Sequence, residues 1–211
     1  MWRKVELNPN KGLFLLRDAL YIKPEDIDSK LRDEVIGYVL DTSGKYSDKN
    51  IIIPINSCDI SMEFIKFKNI KGLTNLEYYD ESINPYEDTN GKYNTRCISD
   101  CILLYNRKII DESPALDYCI NFSPGYKNGE WYLPSIGELK LFYDNRKKFR
   151  KDCKIADIST NMDSDRSGAC CFWSSTLSSN VSAWSLFFCN FTPSVYYCGY
   201  NNFYIVPFLA F

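Results

Sequence analysis

Two apolar runs in the first third of the chain predict a pair of β-strands. Residues 36–40 (IGYVL) and 50–55 (NIIIPI) are of strand length and rich in Ile and Val, and the polar segment DTSGKYSDK separates them. We expect the two runs to form a hairpin. Pro54 should lie at a strand end or on an edge, because proline cannot donate a hydrogen bond to a β-ladder.

Helical patterns occupy three other stretches in the first 120 residues. Pro24 with acidic residues after it predicts the start of a helix. The apolar positions that follow would share one face of that helix, at Ile27, Leu31 and Val35. Residues 95–105 and 115–120 predict two further helices. The segment 70–93 is rich in Asn, Gly, Asp and Tyr and predicts a long loop.

Residues 131–139 (WYLPSIGEL) give the strongest local signal in the chain. The aromatic run that opens this segment predicts a short strand. Ser135 and Glu138 then have the spacing of a capping box, in which a serine caps the first turn of a helix and a glutamate bonds back to the cap. We expect a helix to begin at Ser135 or Ile136, with an apolar stripe formed by Leu139, Phe142 and Tyr143.

The C-terminal part of the chain predicts a turn-rich β-region without charge. No Lys, Arg, Asp or Glu occurs from Ser167 to Phe211. In residues 183–188 (AWSLFF) a period of two divides the side chains between two faces. One face would carry Trp184, Leu186 and Phe188, and the other Ser185 and Phe187. Such a tail is too apolar for a disordered segment and too rich in Asn, Ser, Gly and Pro for a membrane helix.

Composition argues against several classes of function. The net charge of −2 is a poor match for nucleic acid, whose phosphates need a basic surface. The chain has no histidine, and its nine cysteines are odd in number and include no CxxC pair. We therefore predict no metal site, no cofactor and no catalytic Ser-His or Cys-His pair. The acidic loop at Asp163–Asp165 is expected to be solvated rather than to bind Ca²⁺.

The N-terminal sequence predicts the cellular compartment of the protein and the oxidation state of its cysteines. Residues 1–21 contain no long apolar stretch and no small-residue cleavage site, so we expect no signal peptide. The thiols should then be reduced, and most of them should be buried as small apolar groups. We expect a virion component or a prophage product made in the cytoplasm and available for surface display, with no insertion into a membrane.

Four motifs occur in the order found in one family of lectin-like domains. They are W-Y-L-P-S-x-x-E-L at 131–139, F-W-S-S-T at 172–176, A-W at 183–184 and P-x-L-A-F at 207–211. Residues 35–211 resemble the C-type-lectin-like domain at the C-terminus of Legionella collagen-like proteins, which is also widespread in gut Bacteroidales and their phages. The resemblance implies an α+β, C-type-lectin-like fold with two main helices and a turn-rich β C-terminal third. It leaves residues 1–34 as an N-terminal attachment segment, through which the chain would form any homo-oligomer.

In several lineages this domain is the variable protein of a diversity-generating retroelement. Adenines of a template RNA are copied with errors into the 3′ end of the gene. Asn codons altered in this way reach Ser, Tyr, Thr, Cys, Phe, Gly and Val, but not Lys, Glu, Gln, Met or Trp. From Phe172 onward the chain contains none of the unreachable residues except Trp173 and Trp184, which match fixed positions of the family. The uncharged tail is what such mutagenesis would leave, although a buried β-region would also be poor in charge.

The resemblance divides the tail into core positions and binding positions. Large apolar side chains would form the fixed core, each contributing about 1.5–3 kcal/mol when buried: Trp173, Trp184, Phe188, Val195, Tyr204, Phe208 and Phe211. The residues between them fall where the family's variable, ligand-binding positions lie: Ser179, Asn180, Ser182, Ser185, Phe187, Asn190, Phe191, Ser194, Tyr196, Tyr197, Tyr200, Asn201 and Asn202.

Tyr, Asn and Ser suit an adaptable binding surface, because rigid rings supply contact area and short polar groups supply hydrogen bonds. We expect nine of these positions to converge on one solvent-facing patch: Asn180, Ser182, Ser185, Phe187, Asn190, Tyr196, Tyr197, Tyr200 and Asn201. The chain departs from the family at Phe191 and Pro193, where Gly is common, and at Val206, where Arg is common. We therefore expect the hairpin near Phe191 to have a shape of its own.

Three functions remain open on the sequence alone. The first is non-catalytic binding of a cell-surface protein or glycan, as a phage receptor-binding component or a surface adhesin. The second is an enzyme of the formylglycine-generating type, which shares the fold and uses a cysteine pair, here Cys170 with Cys171 or Cys189 with Cys198. The third is a structural trimerisation or stalk-cap module without a ligand. We favour the first, because neighbouring cysteines in sequence do not by themselves converge in a pocket.

Overall fold

The structure, a computed structural model, describes residues 5–6, 9–46, 50–56, 60–66, 76–124, 130–160 and 171–210. Some of the residues discussed above lie outside these ranges: residues 70–75 of the predicted long loop, the Asp163–Asp165 loop, Cys170 and the C-terminal Phe211. The described residues combine helices with two β-sheets, so the predicted α+β class is confirmed.

Twelve strands and four α-helices occur in the described residues. The strands are β1 (Val5–Glu6), β2 (Phe14–Leu16), β3 (Tyr21–Ile22), β4 (Val35–Asp41), β5 (Ile51–Pro54), β6 (Ser61–Met62), β7 (Glu130–Tyr132), β8 (Cys171–Leu177), β9 (Ser182–Phe187), β10 (Thr192–Tyr197), β11 (Phe203–Tyr204) and β12 (Phe208–Ala210). The helices are α1 (Gly91–Leu104), α2 (Ile109–Glu112), α3 (Pro114–Ile120) and α4 (Ile136–Ile155). The two longest, α1 and α4, match the expectation of two main helices, and everything regular after residue 171 is β-strand.

The strands form two sheets. The first has the order β1-β3-β2-β4-β5-β12-β7, with every neighbouring pair antiparallel. The second has the order β10-β9-β8-β11-β6, in which β11 runs parallel to β8 and the other described pairs are antiparallel. The last strand, β12, lies between β5 and β7. The C-terminal end of the chain therefore returns to the sheet that the N-terminal residues begin.

The predicted hairpin of β4 and β5 is confirmed, and Pro54 is the last residue of its strand. β5 is an interior strand buried on both faces. Ile51 and Ile53 belong to one apolar cluster, and Ile52 belongs to another on the opposite face. Burial on both faces explains why the sequence of this strand is a continuous apolar run rather than an alternating one.

Residues 1–34, predicted as an attachment segment, contribute strands β1, β2 and β3 to the first sheet. β2 pairs with β4, so that Phe14 lies opposite Tyr38, and Phe14 and Leu15 are completely buried. The boundary expected between residues 34 and 35 therefore does not separate two structural units. The attachment role of residues 1–34 stays a prediction.

The prediction of a helix after Pro24 is wrong. The segment instead holds two short 3₁₀ turns, at Pro24–Asp26 and Arg32–Glu34. Between them the carboxylate of Asp28 accepts hydrogen bonds from the backbone N–H groups of Lys30 and Leu31, at 2.9 and 3.1 Å. This local turn offers the backbone an alternative to continuous helix.

The capping box at the start of α4 is confirmed. The Ser135 side chain accepts a hydrogen bond from the backbone N–H of Glu138, and the Glu138 carboxylate accepts one from the backbone N–H of Ser135 at 2.8 Å. Tyr132 donates a further bond to this carboxylate, also at 2.8 Å. Glu138 is completely buried, and these donors offset the cost of removing its charge from water. A Cβ atom on Gly91 would lie 2.2 Å from the same carboxylate, so only glycine fits there.

Helix α4 packs against both sheets and shares one apolar cluster with them. Phe142 and Phe149 of this helix lie in a cluster that contains Tyr38 and Phe208 of the first sheet and Trp184 of the second. The opposite face of the second sheet packs against α1 in a separate cluster around Trp173. The edge strand β10 is the least covered long strand of the second sheet, since each of its residues is half-buried or exposed.

Candidate binding face

Strands β9 and β10 form an antiparallel hairpin at one edge of the second sheet. Phe187 lies opposite Thr192 next to the connecting turn, and Ser182 lies opposite Tyr197 at the other end. At the usual rise per residue, these two ends are about 17 Å apart. The predicted binding positions are distributed along the whole length of this hairpin.

The hairpin rests on a buried aromatic core. Trp173 and Trp184 are both buried, as predicted. The Trp184 indole donates to the carbonyl of Tyr79, and the Trp173 indole donates to the carbonyl of Met62 at 3.1 Å. The expected period of two in β9 is also confirmed, because Trp184, Leu186 and Phe188 all lie in the cluster under α4.

One end of the hairpin carries most of the exposed predicted positions, and we call it the tyrosine end. Its predicted residues are Ser179, Asn180, Tyr197, Tyr200, Asn201 and Asn202. The side chains of Tyr197 and Tyr200 are 60% and 77% exposed, with ring centroids 6.3 Å apart. The Asn201 amide donates to the Tyr197 carbonyl at 3.3 Å. The backbone N–H of Cys198 donates to the carbonyl of Val181, which holds the β8–β9 turn beside the loop after β10.

The turn at the other end holds Asn190 and Phe191. Asn190 is exposed, whereas Phe191 is half-buried and stacks on two further rings. Its ring centroid is 4.3 Å from that of Tyr143 on α4 and 5.5 Å from that of Tyr86. The backbone of Phe191 has a φ of 55°, a left-handed conformation that residues other than glycine rarely adopt. Phe191 therefore adopts a backbone conformation that glycine would favour, and the expectation that this hairpin has a shape of its own stays a prediction.

Three predicted positions are spread along the two strands of the hairpin, on the face opposite the α4 cluster. Phe187, Ser194 and Tyr196 are half-buried there. The ring of Tyr196 is 6.1 Å from Phe187 and 4.9 Å from Phe203 on β11. These rings cover the outer edge of the Trp173 cluster, so their exposure is partial.

Two predicted positions do not face solvent, and the expectation that they would is wrong. Ser185 is completely buried and Ser182 is 8% exposed. The reason is that β9 is an interior strand, flanked by β8 and β10. Ser185 lies between Trp173 and Ser194 in the cross-strand register, and its hydroxyl donates to the Ser194 carbonyl at 3.1 Å.

The nine positions expected to form one patch are divided between two ends and one face of the hairpin. Asn190 lies at the turn, whereas Asn180, Tyr197, Tyr200 and Asn201 lie at the tyrosine end. The tyrosine end is therefore the part of the predicted set that forms a compact exposed group. The ligand-binding role of each predicted position stays a prediction.

The cysteines proposed as a redox pair lie far apart. Cys189 follows β9 at the turn and is exposed, whereas Cys198 follows β10 at the tyrosine end and is buried. The length of the hairpin separates them by about 17 Å or more, so these two thiols do not share a pocket. Burial also raises the pKa of the Cys198 thiol. The other proposed pair includes Cys170, which lies outside the described residues.

Neither a cluster of metal ligands nor a membrane-spanning helix occurs in the described part of the chain. No group of three or more His, Cys, Asp or Glu side chains comes together in it to hold a metal ion. In the same residues, no helix is long and apolar enough to cross a membrane.

The structure contains a second surface feature that the sequence did not predict. An open cleft of 530 Å³ lies between the end of the β4–β5 hairpin, the loop before α1 and the first half of α4. Tyr46, Tyr86, Lys140 and Asp144 are among its lining residues. These side chains come from three distant segments, and no local pattern connects them.

Comparisons with known proteins give one informative match. No known family profile matches the chain, and no curated protein matches it. Among solved structures, the crystal structure of a fimbrial protein from Bacteroides ovatus ATCC 8483 is similar, with a TM-score of 0.63 and 16% sequence identity. The match covers 97% of this chain and 49% of the fimbrial protein. The chain thus shares its fold with about half of that protein.

Proposed function

We propose that this protein is a non-catalytic ligand-binding protein whose C-terminal face is diversified to recognise different ligands. The observation that carries the proposal is the exposed pair of Tyr197 and Tyr200 at the tyrosine end. Two large aromatic side chains exposed together on a folded domain are typical of a binding surface. Neither ring is needed to complete the core, which Trp173 and Trp184 already fill.

The chemistry of the tyrosine end suits contact with many different partners. Tyrosine has few rotatable bonds, so its ring supplies contact area with little loss of conformational entropy on binding. The amides of Asn180 and Asn202, both exposed, can donate and accept hydrogen bonds. No charged side chain occurs in the chain from Ser167 onward. The tail's own side chains would therefore bind through shape and hydrogen bonds.

The ligand would be a protein or glycan on a cell surface, and the protein would act as a surface adhesin or a phage receptor-binding component. The fold match to a fimbrial protein supports the adhesin form of this proposal. The sequence resemblance to C-type-lectin-like variable proteins supports diversification by a retroelement. The separation of Cys189 from Cys198 removes one of the two cysteine pairs that an enzyme of the formylglycine-generating type would use.

Sequencing the gene from many isolates would test the diversification directly. Substitutions should concentrate in the codons of exposed positions such as Asn180, Tyr197 and Tyr200, and should arise from changes at adenines. The codons of Trp173, Trp184 and the buried Ser185 should stay constant. A reverse transcriptase gene with a near-copy of the 3′ end should lie nearby. Substitutions spread evenly over buried and exposed codons would overturn the proposal, and a constant tail would favour the stalk-cap alternative.

A further inference from the structure

Strand β10 is the longest edge strand among the described residues. The other edge strands, β1, β6 and β7, have two or three residues each, whereas β10 has six. Folded proteins usually keep edge strands short or place charged side chains on them, because a free edge pairs readily with another chain. β10 carries no charged residue, and Pro193 protects one position of it, because proline has no N–H to offer. The other positions of this edge can still pair.

The register of the hairpin shows which backbone groups of β10 point away from β9. Tyr197 lies opposite Ser182, so the next residue, Cys198, lies opposite Val181. The N–H of Cys198 donates to the carbonyl of Val181 at 3.1 Å and therefore points toward the chain of β9. In an antiparallel pair the direction of the backbone groups alternates along the strand. The even-numbered residues of β10 therefore point toward β9, and the odd-numbered residues point outward.

Two side-chain hydrogen bonds agree with this alternation. The hydroxyl of Ser185 on β9 donates to the carbonyl of Ser194, which must therefore point inward. The amide of Asn201, beyond the end of β10, donates to the outward carbonyl of Tyr197 at 3.3 Å. Two outward N–H groups and two outward carbonyls of β10 then have no hydrogen-bond partner in the described residues. They are the N–H groups of Val195 and Tyr197 and the carbonyls of Pro193 and Val195.

We infer that β10 pairs antiparallel with β10 of a second copy of this chain, around a two-fold axis between the two Val195 residues. Each Val195 N–H then bonds to the Val195 carbonyl of the other copy, and each Tyr197 N–H bonds to the Pro193 carbonyl opposite it. This register uses all the outward groups that lack a partner. Pro193 has no N–H, but the Tyr197 carbonyl that faces it already accepts from Asn201. The outward edge of β10 is therefore complementary to itself.

The side chains that this pairing brings together are also compatible. On the α4 side of the sheet, Val195 lies beside Val195 of the second copy, and Tyr197 lies beside Pro193. On the other side, Tyr196 lies beside Ser194. Apolar and aromatic cross-strand pairs of this kind stabilise a sheet, whereas like charges placed opposite each other destabilise it. β10 contains no charge, so a second copy fits the edge without repulsion.

The dimer is expected to be weak and reversible. Two six-residue strands bury much less surface than the roughly 800 Å² per partner of a standard protein interface. We therefore expect a dissociation constant of about 0.1–1 mM. Because the strands run antiparallel, the tyrosine ends of the two copies lie at opposite ends of the paired strands. The dimer therefore presents two tyrosine ends.

Amide hydrogen exchange on the wild-type protein tests the inference without any substitution. NMR would measure the exchange rate of each amide at protein concentrations of about 20 μM and about 2 mM. At the low concentration, Val195 and Tyr197 should exchange quickly, whereas Ser194 and Tyr196 should exchange slowly because their N–H groups bond to β9. At the high concentration, the exchange of Val195 and Tyr197 should slow about two- to sevenfold, as the fraction of free monomer falls.

Two substitutions at one position separate the backbone from the side chain. Tyr197→Pro removes an outward N–H and leaves the hydrogen bonds to β9 in place, so the variant should fold. It should raise the dissociation constant about tenfold or more, because two of the four bonds between the copies are lost. Tyr197→Ala removes the same ring but keeps the N–H, and should weaken the dimer less. Sedimentation velocity at several concentrations measures both effects, and thermal melts check the fold.

Several results would overturn the inference. They are a wild type that stays monomeric at about 2 mM, a dimer in which Val195 and Tyr197 exchange as fast as in the monomer, and a folded Tyr197→Pro that dimerises as well as Tyr197→Ala. Slow exchange of Val195 at low concentration would also overturn it, because another segment of the same chain would then cover the edge. If Tyr197→Pro does not fold, exchange on the wild type decides alone. The inference is independent of the proposed function, since Tyr200→Ala should impair ligand recognition and leave the dimer in place.

Discussion

The hydroxyl of Thr176 donates a hydrogen bond of 2.7 Å to the buried carboxylate of Asp88. Its oxygen also accepts a bond from the backbone N–H of Ile136, at 2.9 Å. One side chain on β8 therefore fixes both the loop before α1 and the first residue of α4. Asn94 and the backbone N–H of Asn90 donate to the same carboxylate, so the three segments meet at one buried charge.

Thr176→Val keeps the shape of this side chain and removes its hydroxyl. We expect a loss of about 1–3 kcal/mol in the free energy of unfolding near neutral pH, because a buried carboxylate and a buried N–H each lose a partner. Burial raises the pKa of Asp88 above its usual value of 3.8, and the bond from Thr176 acts in the opposite direction. The pKa of Asp88 should therefore be higher still in the variant, which a carbon-detected NMR titration would measure.

The same shift predicts how the stability difference depends on pH. A carboxyl whose folded-state pKa is raised gives its full contribution to stability below its unfolded pKa and loses it as the pH rises through the folded pKa. Because the folded-state pKa of Asp88 is higher in the variant, the variant should lose more of its free energy of unfolding as the pH rises. The stability gap between wild type and Thr176→Val should widen from acidic to neutral pH in denaturant titrations. Thr192→Val, at an exposed position of β10, is the control; a gap that narrows would refute the assignment.

Truncation of a core aromatic in the tail should destabilise the protein much more than truncation of a surface aromatic. Trp184→Ala should lower the free energy of unfolding by about 3–5 kcal/mol, because it leaves a cavity under α4. Tyr200→Ala should change it by no more than about 0.5 kcal/mol, because the ring is 77% exposed. Chemical denaturation of both variants measures the difference. Similar losses for the two would show that Tyr200 packs into the fold.

The sequence predicts the elements that depend on local chemistry. The capping box of Ser135 and Glu138 defines the start of α4, and the apolar run of residues 50–55 identifies a strand. The period of two in β9 assigns Trp184 to the core. In each case the relevant contact lies within a few residues or follows from one repeating pattern, so the sequence contains the information.

Other features depend on which segments meet in space. The apolar run of residues 12–16 has the same pattern whether it docks on another molecule or, as here, on β4 of its own chain. Ser185 has the chemistry of a surface residue but lies on an interior strand, and strand order is not visible in a local pattern. The cleft of Tyr46, Tyr86 and Lys140 is assembled from three distant segments for the same reason.

The left-handed backbone at Phe191 gives a further prediction. Phe191→Gly and Phe191→Ala both lose the stacking with Tyr86 and Tyr143, but only glycine adopts a φ of 55° without a steric cost. The glycine variant should therefore be more stable than the alanine variant by about 1–2 kcal/mol. Thermal or chemical denaturation of the pair measures this, and equal stability would mean that the turn relaxes once the ring is removed.

The described cysteines should differ in reactivity. Cys189 is exposed at the hairpin turn, whereas Cys119 and Cys198 are buried and burial raises the pKa of both thiols. Because the thiolate is the reactive form, iodoacetamide should label Cys189 well before the other two in the folded protein. Peptide mass spectrometry over a time course gives the order. Labelling of Cys198 as fast as Cys189 would indicate that the tyrosine end opens.

The most direct test of the proposed function removes the tyrosine end while leaving the core intact. The variant Asn180→Ala/Tyr197→Ala/Tyr200→Ala/Asn201→Ala keeps the buried serines of β9, and its stability should fall by no more than about 2 kcal/mol, the sum of four surface changes. Leu104→Ala/Tyr105→Ala, at an exposed site on α1, is the matched control. Binding of labelled protein to a panel of bacterial cells, measured by flow cytometry, should be strong for wild type and control and absent for the variant. A folded variant that binds as well as wild type, or a wild type that binds no cell in the panel, would contradict the account.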